Sequence, residues 1–189
     1  MLLVCGLDEA GRGPLAGPVV TAAVIIENNR RIAGVKDSKK LTALQRESLY
    51  EQIVENALWW DVAIIQNDVI DKVNITAATM LGFQQNLQKL NLSDIEILID
   101  GNYFKLPDMN SLKYTYKTIV GGDKLIYQIS AASIIAKVTR DRIMKEYHSI
   151  YPLYGFDKHK GYPTKQHIDI IKKFGICEIH RKTFCKKYV

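Results

Sequence analysis

The stretch LLVCGLDEAGRGPLAGPVVTAAVII, residues 2–26, decides the fold. It opens on a short apolar run and closes on a second, β-rich run from Pro18 to Ile26, and the glycines between them mark a turn. Two strands in succession therefore begin the chain. The first ends on adjacent carboxylates, Asp8 and Glu9, followed at once by Gly11-Arg12-Gly13. Two charges closing a buried strand carry a desolvation cost that a simple turn does not need.

Beyond this opening the period changes. Between Thr42 and Ala57 the pattern is helical, with Thr42 and Gln45 in capping-box spacing. WWDVAII (59–65) returns to strand, Asn74 caps a helix through about Leu90, and IEILID (95–100) is a strand ending on Asp100 before Gly101. LKYTYKTIV (112–120) alternates as a strand and runs into Gly121-Gly122-Asp123. From Asp123 to about Tyr147 lies the longest helical pattern, with Ile129, Ala132, Ala136 and Ile143 on one stripe and Ser130, Ser133 and Lys137 on a neighbouring polar one. After Tyr151-Pro152 the chain becomes irregular, and a short helix follows Thr164. Strands first, then strand and helix in alternation, predict a mixed α/β sheet layered with helices.

A chain of 189 residues can bury one good core, which predicts a single domain over 1–189 with a small appendage over about 150–189. Its apolar stretches fall far short of the ~20 residues of a membrane span, and no basic region precedes the apolar N-terminus as in a signal peptide. The net charge of +6 suits a polyanionic partner, and many cations cluster in KDSKK (36–40) and in the tail HRKTFCKKYV, where an ordinary solvated surface is an equal reading. Three cysteines, Cys5, Cys177 and Cys185, form no CxxC pair; a reducing cytoplasm is expected, with neither a zinc site nor a disulfide framework. The absence of GxxxxGK[ST] sets aside a P-loop nucleotide enzyme.

Three places share one feature, an acidic residue where an apolar strand meets glycine: Asp8-Glu9, Asp100 and Asp123. Taken singly, Asp100 reads as a turn residue and Asp123 as a carboxylate at a helix N-terminus. Taken together, on neighbouring strand ends, they form the crevice where open α/β sheets bind ligands. Clustered carboxylates imply a bound metal or a shared proton. Oxygen ligands without a Cys or His cluster favour Mg²⁺ or Mn²⁺. Two such ions roughly 4 Å apart suit in-line attack of water on a phosphodiester.

These residues lie in motifs that resemble the type 2 ribonucleases H, and bacterial ribonuclease HII most closely: GLDEAGRGPLAGPVV (6–20), DSKKL (37–41), LIDGN (98–102), GGD (121–123), ISAASIIAKVTRD (129–141) and YGFDKHKGYPT (154–164). The resemblance spans nearly the whole chain. It implies a ribonuclease H-like mixed five-stranded sheet, three strands antiparallel and continued by parallel ones, helices on both faces, and a small helical C-terminal part. It implies an endonuclease that hydrolyses the RNA strand of RNA–DNA hybrids and cuts 5′ of single ribonucleotides in duplex DNA. It maps four metal-binding carboxylates onto Asp8, Glu9, Asp100 and Asp123. Asp141 competes with Asp123, but about five helical turns separate them at ~1.5 Å per residue, so Asp141 is expected to pair with a neighbouring arginine.

Gly11-Arg12-Gly13 resembles the family's junction-reading loop, and the chemistry agrees. Glycine lets the backbone approach a ribose, the 2′-hydroxyl separates RNA from DNA, and a guanidinium grips the adjacent phosphate; alone, the tripeptide would be just a turn. Tyr162 resembles the tyrosine that packs on the nucleotide after the ribonucleotide, with a half-buried loop aromatic as its plainer reading. Ser38, Lys39, Ser133 and Lys137 are candidates for holding the nucleic-acid backbone, the last two sharing a helical face. The chain is expected to act as a monomer. Two rivals stand beside this reading: ribonuclease HIII, which carries an additional N-terminal domain for which a first strand beginning at Leu2 leaves no room, and a catalytically silent hybrid-binding module, which would lack a carboxylate.

Overall fold

The computed structural model describes residues 2–36, 38–108 and 112–189, with the side chain of Lys39 excepted. The opening stretch forms two strands, β1 (Leu3–Ala10) and β2 (Val19–Ile25), paired antiparallel with Asp8 opposite Ala22. Three further strands, β3 (Trp59–Ile65), β4 (Ile95–Asp100) and β5 (Thr115–Ile119), complete a five-stranded sheet in the order β3-β2-β1-β4-β5. β3 pairs antiparallel with β2, while β1–β4 and β4–β5 are parallel, as expected. This is a ribonuclease H-like fold.

Helices cover both faces. Period-two alternation sends Cys5, Leu7, Ile97 and Ile99 to one face, where they pack with Met80, Phe83 and Leu87 of α3 (Ile75–Lys89). Val20, Ala22 and Val24 face the other way, onto α1 (Ala43–Asn56) and onto Ala131, Ile134 and Ile135 of α5 (Tyr127–Ile150). The capping box at Thr42 and the cap at Asn74 form as expected, the latter accepting from the amides of Thr76 and Ala77. A short helix not anticipated from sequence, α2 (Asn67–Val73), precedes that cap.

Two expectations are corrected. The long pattern from Asp123 is not one helix: α4 (Gly122–Leu125) ends at Ile126, whose extended backbone (φ −117°, ψ 121°) breaks the axis before α5 begins. Residues 112–120 pair only over Thr115–Ile119; before them Leu112 and Tyr114 pack on the core by side chain, Tyr114 donating to Leu90 O at 2.7 Å, rather than by extending the ladder.

The C-terminal part carries α6 (Phe156–His159), α7 (Lys165–Phe174) and α8 (Lys182–Cys185). It folds back onto the loop between β1 and β2: His180 bridges Ala16, and the Arg181 amide donates to Leu15 O at 2.8 Å. The tail is therefore not simply a basic face, since His180 and Arg181 are buried.

Candidate active site

Gly6 decides how β1 meets α5. A Cβ there would lie 2.2 Å from the Gln128 carbonyl carbon, so bare backbone packs on bare backbone and Asp8, on the same face two residues on, is held against the helix. Asp100, at the end of the neighbouring parallel β4, shares this face, whereas Glu9 turns to the side of α3. Asp8 is 5 % exposed. Burial first, then the negative fields of Glu9 and Asp100, hold its carboxyl well above the usual carboxylate range; hydrogen bonds from the Glu9 amide (2.7 Å) and the Ser133 hydroxyl oppose this only in part.

Asp123, 2 % exposed, lies in the first turn of α4 beside Gly122, on which a Cβ would lie 3.5 Å from Asp100 Oδ1. That Oδ1 is itself buried with no hydrogen-bond partner among the described residues. Among the described residues, no group of three or more His, Cys, Asp or Glu side chains stands close enough to hold an ion as placed. Like charges in low dielectric spread apart without a cation between them. A buried carboxylate oxygen without a hydrogen-bond partner among the described residues, a carboxyl whose charged form burial and its acidic neighbours disfavour, and an all-oxygen donor set together fit a hard divalent cation. Asp141 pairs with Lys137 at 2.7 Å and with Arg46 at 4.0 Å, as expected of a structural carboxylate.

The remaining candidates gather beside the carboxylates. Ser38 and Ser133, 95 residues apart in sequence, share a 2.8 Å hydrogen bond, and Arg46 holds the Ser38 turn by donating to Ser38 O and Leu41 O. Lys137 Nζ stands 5.9 Å from the Tyr162 ring centre. A Cβ on Gly13 would touch Tyr162 Cε1 at 3.9 Å, so ring and loop are adjacent. Arg12 lies back on Glu9 (3.5 Å) and Thr76 (3.4 Å); an ion pair this exposed is worth ~1 kcal/mol or less, so the guanidinium can swing to a phosphate at little cost. The Lys39 side chain and Asp37 of the DSKKL motif fall outside the described residues.

Sequence reasoning missed what holds the Tyr162 loop in place. Beneath the Tyr162 loop, the Cys177 amide donates to His180 Nδ1 (2.9 Å), which places the His180 proton on Nε2. That proton faces His167 Nε2 at 3.0 Å, so His167 donates from Nδ1 to Tyr162 O at 2.9 Å. Burial first, then the field of His159 on His167 and of His167 and His159 on His180, hold both imidazoles down at about 4. Below the ordinary value near 6.5 the unfolded chain takes up protons that the folded chain refuses until about 4. Stability from the pair is therefore complete above 6.5 and declines as pH falls toward 4, by about 1.4 kcal/mol per pH unit for each proton taken up. Asp8, shifted upward, works the other way, so the slope is best read in Asp8→Asn. Thermal melts there should fall steadily from pH 6.5 to 5, and a flat profile would refute the assignment.

A mixed ribonuclease H-like sheet whose adjacent strand ends bring carboxylates to a glycine-rich loop defines a nuclease of the ribonuclease H class. The comparisons narrow the class. The pattern of the ribonuclease HII family matches residues 5–187. The chain is 48% identical to ribonuclease HII of Caldicellulosiruptor bescii over 97% of its own length and 86% of that protein's. It is likewise 48% identical to that of Francisella tularensis subsp. novicida, over 97% and 96%. Ribonuclease H2 of Pyrococcus horikoshii OT3 superposes with a TM-score of 0.80 at 29% identity, covering 99% of this chain and 97% of that one. Bst-RNase HIII, solved in complex with Mn²⁺, shares the fold at a TM-score of 0.70 and 20% identity, this chain covering 64% of it. The chain belongs to the ribonuclease HII family and is a ribonuclease H acting on RNA–DNA hybrids.

Proposed function

We propose that the enzyme cuts on the 5′ side of a single ribonucleotide embedded in duplex DNA, as well as within longer hybrids, leaving 3′-hydroxyl and 5′-phosphate ends. The observation that carries this reading is the contact of Tyr162 with Gly13 beside the carboxylate edge, because it puts a stacking platform next to a loop that can test for a 2′-hydroxyl. Asp8, Glu9, Asp100 and Asp123 would hold one or two divalent ions, Mg²⁺ or Mn²⁺. When bound, such ions neutralise the carboxylates, activate a water and stabilise the departing 3′-oxygen. The protein's own part is to aim the phosphodiester: Arg12 reaches the phosphate, the Gly11–Gly13 backbone meets the ribose, Tyr162 packs on the following deoxynucleotide, and Ser38, Lys39, Ser133 and Lys137 hold the flanking backbone. A monomer in the reducing cytoplasm suits this role and the three unpaired cysteines.

The test is cleavage of a labelled DNA duplex carrying one ribonucleotide, beside an all-DNA duplex and a long RNA–DNA hybrid, each with Mg²⁺, Mn²⁺ or EDTA. Metal-dependent scission 5′ of the ribonucleotide is expected, the all-DNA duplex staying intact. Tyr162→Ala should lower single-ribonucleotide cleavage about 10-fold or more, in keeping with ~1–3 kcal/mol of stacking, and the long hybrid less. Cleavage of the hybrid alone would sink the junction reading, and scission undiminished in EDTA would sink the metal reading.

A further inference from the structure

Arg140 and Arg181 are among the largest side chains buried in the molecule, 1 % and 0 % exposed, and neither enters an ion pair among the described residues. Burying a cation without a counter-charge costs several kcal/mol, so what each does in exchange is informative. Both spend their donors on backbone carbonyls. Arg140 takes Pro18, Lys160 and Ala16. Arg181 takes Gly17 through Nε at 3.0 Å, Arg12 through Nη1 at 2.9 Å, and Gly11 and Pro18 through Nη2 at 2.6 and 3.0 Å.

The bonds to Gly11 and Arg12 have a directional result. In a planar trans peptide the C=O and the following N–H point opposite ways. Drawing Gly11 O and Arg12 O inward onto Arg181 therefore turns the Arg12 and Gly13 N–H groups away from it. Among the described residues neither amide donates to a backbone acceptor. Gly11 sits at φ +99°, where glycine reorients readily, and Gly13 follows one residue on.

We propose that Arg181 is a positioning residue for substrate recognition: it locks the Gly11–Arg12 and Arg12–Gly13 peptides so that two consecutive N–H groups face an oxygen of the junction nucleotide, its 2′-hydroxyl or adjoining phosphate. This deepens the function proposed above and rests on it. A planar fork is needed because four carbonyls converge on one side chain; lysine's compact ammonium cannot span them.

The experiment compares wild type with Arg181→Lys on two substrates, the DNA duplex with one ribonucleotide and the long hybrid, with melting curves for both proteins. In the folded variant kcat/KM for the single ribonucleotide should fall at least 50-fold and for the long hybrid less than 5-fold, where many ribonucleotides offer alternative registers. Equal losses on both substrates, or none, would overturn the assignment and leave Arg181 a structural peg. Amide hydrogen exchange in Asp8→Asn, with Arg181 intact, tests the same point should the lysine variant not fold: the Arg12 and Gly13 amides should exchange fast in the free protein and become protected with the ribonucleotide duplex bound. Absence of protection overturns the proposal. If wild type itself fails to cut the single ribonucleotide, the proposed function falls and this inference with it, whereas wild-type cleavage with an unchanged substrate ratio in Arg181→Lys removes this inference alone.

Discussion

Asp8→Asn should lower cleavage of RNA–DNA hybrid by about 10³-fold or more while leaving hybrid binding within a few-fold of wild type and raising the melting temperature. Asparagine keeps the shape of the side chain and can still accept from the Glu9 amide, so the strand end should be undisturbed. What goes is the charge, which is held in a buried position against the fields of Glu9 and Asp100. Removing it relieves a cost to folding, the usual relation between a destabilised site and its activity. Under the proposed function it also replaces an anionic ligand for the cation by a neutral amide. Filter binding, single-turnover cleavage and a thermal melt check the three parts; loss of binding in step with activity, or a drop in melting temperature, would show that Asp8 is structural.

The second large effect is expected at a residue with no functional group. Gly6→Ala places a methyl 2.2 Å from the Gln128 carbonyl carbon and 2.4 Å from both Gln128 O and Ile129 N. These are backbone atoms near the start of α5, which cannot yield singly, so strand and helix must part. Overpacking against movable side chains costs ~1–3 kcal/mol, and a backbone obstacle belongs at or above the top of that range. For a chain of this length the melting temperature should fall by about 6–12 °C. Whatever fraction remains folded should cleave poorly, because Asp8 and Ser133 meet across this seam. A melt within 2 °C of wild type would refute the close-packing account.

Much of this was legible locally. WWDVAII and IEILID gave β3 and β4 with their observed bounds, and Thr42-Gln45 and Asn74 marked helix starts, because period and capping are properties of neighbouring residues. The break at Ile126 was not legible: no Gly or Pro marks it, the apolar spacing runs straight through, and the Ile126 amide bonds back to Gly122 O while its carbonyl takes the Ser130 amide. The strand-end carboxylates could be read as a set, since each precedes or follows glycine. What sequence does not announce is that Ser133 joins the set, its hydroxyl bonding Ser38 and Asp8. Arg181 and His180 were read as part of a basic tail, because what buries a charge here is a set of carbonyls from residues 11 to 18, and nothing near position 181 announces them.

That last separation governs when the enzyme becomes competent. The bonds from Arg181 to the recognition loop join residues 163 to 170 positions apart. During synthesis the first two strands emerge early, yet the loop between them cannot take its bonds from Arg181 until that residue has left the ribosome and folded back. Contacts of such sequence separation pay their closure entropy late and form slowly. A nascent chain thus presents the carboxylates of its first strand long before the bonds that hold the neighbouring loop can form.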